Sequence, residues 1–220
     1  MPKGERTQLG ALEKELDRIG LLLQHDAELP SATALLAGAP IAGSWWGHPL
    51  GKQLYEWLSE FERGAGALSL KLVNGKVTYV AARLWPAILV LVSAGAGERV
   101  TSLTAPAKAL QKRLLAVGSA RGDEFVAAGF ASAKEFTAAA KELELAQLAH
   151  VDSVHTPSGA HTKVLTAWAA WGKAHALGPA PPRLAAGEAL REAVASLSAN
   201  AKRPPVVPFL DGAAKLTRRR

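Results

Sequence analysis

The chain has 220 residues, 49% of them hydrophobic, and a formal net charge of +7, which predicts one large or two small domains. The absence of cysteine excludes disulfides, thiolate metal sites and a cysteine nucleophile. The sequence has neither a run of about 18 uncharged apolar residues nor the apolar core of a signal peptide, so we expect a cytoplasmic protein without a membrane span. A composition rich in alanine and arginine is typical of a bacterium with a GC-rich genome.

The positive charge is concentrated towards the C-terminal end. Residues 1–201 are nearly neutral, whereas residues 202–220 hold six basic residues and the single acid Asp211. The basic residues are Lys202, Arg203, Lys215, Arg218, Arg219 and Arg220. Such a tail is typical either of an arm that contacts nucleic-acid phosphates or of a solubilising end. The apolar residues within 206–210 could attach its middle to the body.

Four helices and a hairpin are predicted in the first part of the chain. Apolar residues at three- and four-residue spacing indicate helices over residues 5–24, 31–37, 49–63 and 84–94. Asn74-Gly75 lies between two alternating stretches, over residues 68–73 and 76–80. This dipeptide favours a type I′ turn, which needs positive φ at both central residues. We therefore predict a hairpin with its tip at Asn74-Gly75.

Three helices followed by a hairpin is the order of a winged-helix domain, and the layout of residues 31–79 resembles this family of DNA-binding proteins. The resemblance implies that the helix over residues 49–63 is the recognition helix and that Asn74-Gly75-Lys76 is the tip of the wing. The layout is also similar to that of winged-helix DNA glycosylases, which implies repair by excision of a flipped base. Because the helix carries Lys52 beside three glutamates, we expect DNA shape and phosphates, instead of base sequence, to guide binding.

The second half of the chain repeats the order of helices, hairpin and helix, without a recognisable repeat in the sequence. Helices are predicted over residues 104–117, 132–141, 167–176 and 184–198. Ser132 and Glu135 have the spacing of a capping box. Residues 143–154 and 162–168 are predicted as the strands of a second hairpin around the loop 155–161.

These elements predict an α+β fold that is helix-rich with two β-hairpins. Residues 1–100 are expected to form a winged-helix-like N-terminal module that includes the N-terminal helix. Residues 101–201 are expected to form a helical and hairpin half packed on it, and residues 202–220 a basic tail.

The first candidate site is the loop Trp45-Trp46-Gly47-His48-Pro49. A tryptophan face stacks on a nucleic-acid base, the imidazole of His48 could transfer a proton, and the helix N-terminus that follows favours an anion. The loop therefore indicates a pocket for a base or a phosphate. The alternative is packing, with one tryptophan under the helix and His48 at the helix start.

The second candidate site is the loop that begins at His155, contains Ser158 and His161, and is followed by Lys163. The two histidines could act as acid and base, hold a phosphate, or bind a metal together with Asp152. Their spacing matches no strong metal template, so no metal is expected. The alternative is a polar loop that faces solvent.

Three further basic residues surround the first hairpin, namely Lys71, Lys76 and Arg83. They suit phosphate contacts or an ordinary solvated strand, and the amine of Lys71 or Lys163 could serve lyase chemistry at an abasic site. The catalytic candidates are His48, Lys71, His155, His161 and Lys163. The candidates for nucleic-acid binding are Trp45, Trp46, Lys52, Lys76, Arg83, Ser158, Arg218, Arg219 and Arg220.

The sequence contains no P-loop, dinucleotide-binding or zinc-hydrolase motif, and no cofactor is expected. The leading hypothesis is a DNA-binding, winged-helix-like protein of the nucleoid. Its narrower form is a DNA repair enzyme that reads damaged DNA through a Trp/His pocket, either a DNA glycosylase or an abasic-site lyase. A non-enzymatic DNA-binding regulator or nucleoid-associated protein is the second hypothesis, and a protein-interaction domain is the third. DNA is the favoured partner, while the lesion, the sequence specificity and the oligomeric state stay open.

Overall fold

The computed structural model describes residues 3–64, 67–129, 132–155 and 161–210. The helices within these ranges, numbered α1 to α10, are Lys3–Ile19, Ala32–Ala37, Gly51–Arg63, Trp85–Ser93, Ala96–Thr101, Ala105–Val117, Gly122–Ala127, Ala133–Leu145, Trp168–Ala174 and Arg183–Leu197. The strands, numbered β1 to β6, are Leu21–Leu23, Ala67–Lys71, Val77–Ala81, Ser119–Arg121, His150–His155 and His161–Thr166. Many helices with two small antiparallel sheets confirm the predicted α+β class. None of these helices is long and apolar enough to cross a membrane.

The chain forms two compact units. Unit 1 comprises residues 1–88 and 182–220, and unit 2 comprises residues 89–181. This division differs from the boundary that the sequence suggested at residue 100, because α10 belongs to unit 1, where it packs against α1 and β1. The buried face of α10 carries Leu190, Ala193 and Leu197. Unit 1 is therefore built from two separate stretches of the chain.

Unit 1 packs its first three helices against a three-stranded antiparallel sheet in the order β1-β3-β2. Leu16 of α1, Leu54 and Leu58 of α3, and Tyr79 of the central strand are buried together in its core. The apolar spacing that predicted the helices thus marks the faces that they bury.

The first helix is shorter than predicted. It ends at Ile19, because Gly20 adopts a φ of 91°, which residues with a Cβ rarely adopt. Leu21–Leu23 then form β1, fully buried, and Leu22 pairs with Tyr79 of β3. The prediction of helix over residues 20–24 was wrong because a run of leucines fits a buried strand as well as a helix.

The hairpin around Asn74 and Gly75 is confirmed. The two residues have φ angles of 53° and 67°, and the Lys76 amide donates to the Val73 carbonyl at 2.9 Å, as in a type I′ turn. Asn74 also bonds to Val206, beyond α10. Its amide donates to the Val206 carbonyl at 2.8 Å, and its Oδ1 accepts from the Val206 amide at 2.8 Å. The apolar part of the C-terminal segment is therefore attached to the hairpin tip, as its composition suggested.

Unit 2 has its own core and its own antiparallel sheet, in the order β4-β6-β5. The predicted capping box at the start of α8 is confirmed, with Ser132 and Glu135 each accepting a backbone hydrogen bond from the other. The strand predicted from residue 143 was wrong in its first part. Helix α8 continues to Leu145, because Leu143 lies on its buried face, and β5 begins at His150.

The two units repeat one arrangement of elements. Unit 1 runs α1, β1, α2, α3, β2, β3, and unit 2 runs α6, β4, α7, α8, β5, β6. In both sheets the last strand lies between the other two. The chain therefore contains a tandem structural repeat, which the sequence does not reveal.

Backbone hydrogen bonds align the two copies. Gly20 follows α1 and accepts from the Ala81 amide, and Gly118 follows α6 and accepts from the Ala167 amide, both at 2.9 Å. The two glycines have φ angles of 91° and 83°. The first helix of each copy therefore ends in the same way, against the alanine that ends β3 or directly follows β6.

Strand register extends this alignment to side chains. Val80 pairs with Leu21 on one side and Leu68 on the other, while Thr166 pairs with Ser119 and His150. Leu68 of unit 1 therefore corresponds to His150 of unit 2. Helices α3 and α8 both have 13 residues, so their second residues, Lys52 and Lys134, also correspond.

Candidate nucleic-acid interface

Two adjacent tryptophans before α3 form an aromatic surface. Trp45 is buried, whereas 61% of Trp46 is exposed, and their rings stack with centroids 4.3 Å apart at 23°. Tyr55 of α3 lies 5.3 Å from the Trp46 ring at a tilt of 37°, and 36% of it is exposed. Packing therefore accounts for Trp45, while Trp46 and Tyr55 present an aromatic platform to solvent. Tyr55 was not a candidate from the sequence, although its place on α3 just after the tryptophan loop was a usable signal.

Close contacts hold the loop that carries this platform. A Cβ at Gly51 would lie 2.7 Å from the Trp46 carbonyl oxygen, so only glycine fits without a shift of the backbone. His25 bridges the start of the loop to α2, since Nε2 lies 2.8 Å from the Gly43 carbonyl oxygen and Nδ1 lies 2.9 Å from Thr33 Oγ1. The carbonyl can only accept, so Nε2 carries the proton. The platform is thus supported on both sides.

His48 is bound to the backbone at the start of α3. Its Nδ1 accepts from the Leu50 amide at 3.2 Å, its own amide donates to the Trp45 carbonyl at 3.1 Å, and its carbonyl accepts from the Gly51 amide at 2.7 Å. This geometry favours the alternative in which His48 lies at the helix start. A catalytic role for His48 stays a prediction.

The charges of α3 do not suit the reading of base edges. Lys52 has a 90% exposed side chain and lies 3.9 Å from the Glu56 carboxylate, a loose pair. Arg63 is bound to Glu60 at 2.7 Å. Helices that read a DNA groove present Arg, Lys, Asn or Gln to the bases, whereas α3 has more acidic than basic side chains. This supports the expectation that α3 does not read sequence.

Lys76, the proposed wing-tip cation, is bound within unit 1. Its Nζ lies 2.7 Å from Oδ2 of the buried Asp26. Oδ1 of Asp26 accepts from the amides of Glu28 and Leu29 at 2.8 and 2.9 Å. Burial alone would raise the pKa of Asp26, but the hydrogen bonds from Lys76, Leu29 and Glu28 outweigh it and lower the pKa. Lys76 therefore has a structural partner, although half of its side chain remains exposed.

Of the two other basic candidates near the hairpin, Arg83 lies apart from the tip and Lys71 lies at the tip end of β2. Arg83 extends across Gly20 and donates to the Asp17 carbonyl at 3.1 Å. Lys71 is partly exposed on β2, at the opposite end of the strand from Ala67. Arg83 thus ties the segment after β3 to the end of α1, and a phosphate contact by either residue stays a prediction.

The second candidate loop lies in unit 2 and joins β5 to β6, as predicted. His155 and His161 are directly opposed across the two strands, and His161 is exposed. Lys163 Nζ lies 3.4 Å from the Glu144 carboxylate, which identifies it as part of an ion pair. Ser158 lies outside the described residues, as do the tail residues Arg218, Arg219 and Arg220.

A histidine that the sequence did not single out is buried in unit 2. His150 is 5% exposed, and its ring centroid lies 5.7 Å from those of Trp168 and Trp171. Its Nδ1 lies 3.3 Å from Asp152 Oδ2, which is an ion-pair distance, but this nitrogen makes no hydrogen bond. A short distance with poor alignment adds little hydrogen-bond energy. The repeat reveals this position, since unit 1 has leucine there.

Among the described residues, no three histidine, aspartate or glutamate side chains come together as potential metal ligands. Comparison of the chain with protein-family models, curated proteins and solved structures finds no match. Trp45, Trp46 and Lys52 lie in unit 1, while His155, His161 and Lys163 lie in unit 2.

Proposed function

We propose that the protein binds DNA through two winged-helix-like units and holds it by its phosphates instead of its base sequence. One observation carries the proposal. Lys52 and Lys134 occupy the same place in the two copies, at the second residue of the helix that precedes the hairpin, and both are exposed. In winged-helix proteins this helix lies against DNA, and its first turn suits a phosphate.

The acidic residues near the ends of α3 and α8 argue against groove reading along these helices, while the capping residue Glu135 lies beside Lys134 in the first turn of α8. Glu62 near the end of α3 accepts from the buried Tyr79 hydroxyl at 2.7 Å, and Glu142 near the end of α8 accepts from Thr104. These carboxylates have structural partners within their own units. The basic residues of 202–220 add a sequence-independent attraction to DNA.

A base-excising or abasic-site lyase activity is the narrower form of the proposal. The exposed Trp46 face favours it, because enzymes of this kind stack a flipped base on an aromatic side chain. Of the two candidate amines for lyase chemistry, that of Lys163 gives it less support, since Lys163 is bound to Glu144. We therefore propose DNA binding without chemistry as the primary function, at the nucleoid.

The binding proposal is tested by anisotropy with a labelled duplex between about 50 and 200 mM salt. We expect a steep salt dependence, and we expect the double variant K52A/K134A to flatten the slope of log K against log salt by about 1.8, the effect of losing two phosphate contacts. The matched control is K14A, which removes an exposed lysine from α1. An equal loss in K14A would refute a specific role for the two helices, and failure of every duplex to bind at low salt would favour a protein-interaction domain.

A denaturing gel separates binding from repair. End-labelled duplexes, each with one altered base or an abasic site, are incubated with the protein and then treated with alkali. Intact strands together with shifted bands on a native gel are expected for a binding protein. Strand breakage at one lesion would instead establish a glycosylase or lyase and name its substrate class.

A further inference from the structure

We propose that the platform of Trp46 and Tyr55 binds an unpaired nucleobase, so that the protein prefers DNA with single-stranded or extruded nucleotides over fully paired duplex. The inference rests on the proposed DNA binding and adds the class of substrate. Three observations support it, namely the geometry of the Trp46 and Tyr55 rings, the comparison of the two copies, and the exposed charge of Lys52.

The platform extends an existing stack. Trp45 is the buried base of this stack, and Trp46 lies on it at 4.3 Å and 23°. With 61% of Trp46 exposed, a further planar ring can continue the stack. Tyr55 borders the same surface at 5.3 Å. A nucleobase is a flat ring system of matching size, and every base has a face that stacks on an aromatic side chain.

Comparison of the copies indicates that this arrangement of sheet and helices does not require an exposed tryptophan. In unit 1 the connection from β1 to α3 covers residues 24–50, whereas in unit 2 the connection from β4 to α8 covers only residues 122–132. The same sheet and helices form in both. The longer connection adds an exposed tryptophan, which costs hydrophobic free energy unless a ligand covers it.

The charge beside the platform favours a nucleotide over a purely apolar ligand. Lys52 lies in the first turn of α3, between the tryptophan loop and Tyr55, with a 90% exposed side chain. A base on Trp46 brings its flanking phosphates to this part of the surface, where a lysine acts as a point charge. Because stacking tolerates any base, we expect little preference among base types.

The test compares an oligothymidylate single strand with a duplex of equal length, for the full chain and for W46A. We expect the wild type to prefer the single strand, and W46A to lose about tenfold or more in affinity for it while it keeps its affinity for duplex. L184A is the matched control, since Leu184 is a 70% exposed apolar side chain of α10 in the same unit. W46F should retain part of the preference, and thermal unfolding of each variant shows that the fold is intact.

The outcomes separate this inference from the proposed function. Duplex binding without any single-strand preference, or a preference that W46A leaves unchanged, overturns the inference alone. Absence of binding to both DNAs overturns both proposals. A proline-rich peptide that binds in a Trp46-dependent way, with no single-strand binding, also overturns the inference and identifies a protein ligand.

Discussion

At the scale of single residues, Asp26 shows that Lys76 at the hairpin tip has a structural role, because the two side chains form an ion pair. The Asp26 carboxylate is buried and accepts from two backbone amides as well as from Lys76 Nζ. The partner of Lys76 lies far away in the sequence, so no local pattern could predict that this lysine would be bound inside the molecule. Exposed cations such as Lys52 are better markers of a binding surface.

We expect D26N to destabilise unit 1 at neutral pH by about 1–3 kcal/mol, because the amide replaces a charged acceptor of Lys76. The folded-state pKa of Asp26 is lowered, so its contribution is fully present above the unfolded pKa of about 3.9 and disappears as the pH falls through the folded pKa. Urea unfolding at pH 7 and pH 3 measures this. D17N, at an exposed position of α1, is the control. A D26N deficit that persists unchanged at pH 3 would contradict the account.

At the scale of elements, the sequence correctly predicted the turns and helix starts that neighbouring residues determine. Asn74-Gly75 encodes its own turn, and Ser132 with Glu135 encodes the start of α8. The strands β1 and β4 have three residues each, too few for a period to show, and they exist only because β3 and β6 pair with them. The repeat was invisible for a related reason, because its copies share burial and register, as Leu68 and His150 do, but not residue identity.

The correspondence of Leu68 and His150 gives a prediction. Replacing the buried His150 by leucine removes an unbonded Nδ1 from the core of unit 2, so H150L should raise the free energy of unfolding by about 1 kcal/mol or more. The reciprocal variant, L68H, should lower it in unit 1. Chemical unfolding followed by tryptophan fluorescence tests both. A loss of stability in H150L would show that the contact with Asp152 and the tryptophan rings is worth more than its geometry indicates.

At the scale of the whole molecule, unit 1 is closed by the chain beyond unit 2. Helix α10 packs on α1 and β1, Val207 is buried, and Val206 pairs with Asn74 at the hairpin tip. The sequence predicted both α10 and the attachment of residues 206–210, and it grouped α10 with residues 101–201, whereas α10 packs within unit 1. Helix periodicity identifies a buried face without identifying what covers it.

The attachment at Asn74 is testable. N74A removes the acceptor for the Val206 amide and puts alanine, which tolerates a φ of 53° less well than asparagine does, at this position. We therefore expect a loss of about 1–3 kcal/mol in stability and earlier release of the C-terminal segment by protease. N74G removes the backbone strain at the positive φ but does not restore the acceptor for the Val206 amide, whereas N74D keeps an acceptor. Protease resistance in the order N74D, N74G, N74A is expected, and equal resistance of all three would contradict a role for the side chain.

The division of unit 1 into two stretches fixes the order in which the protein can mature on the ribosome. Residues 1–88 emerge first, yet β1 and the hairpin tip wait for α10 and Val206, which are made only after all of unit 2. Unit 2 is continuous and can complete its core as soon as it is released. During synthesis, unit 1 therefore begins to form before unit 2 but completes its core after it. Until α10 is made, the leucines of β1 are uncovered, and they are the surface that a nascent-chain chaperone would meet.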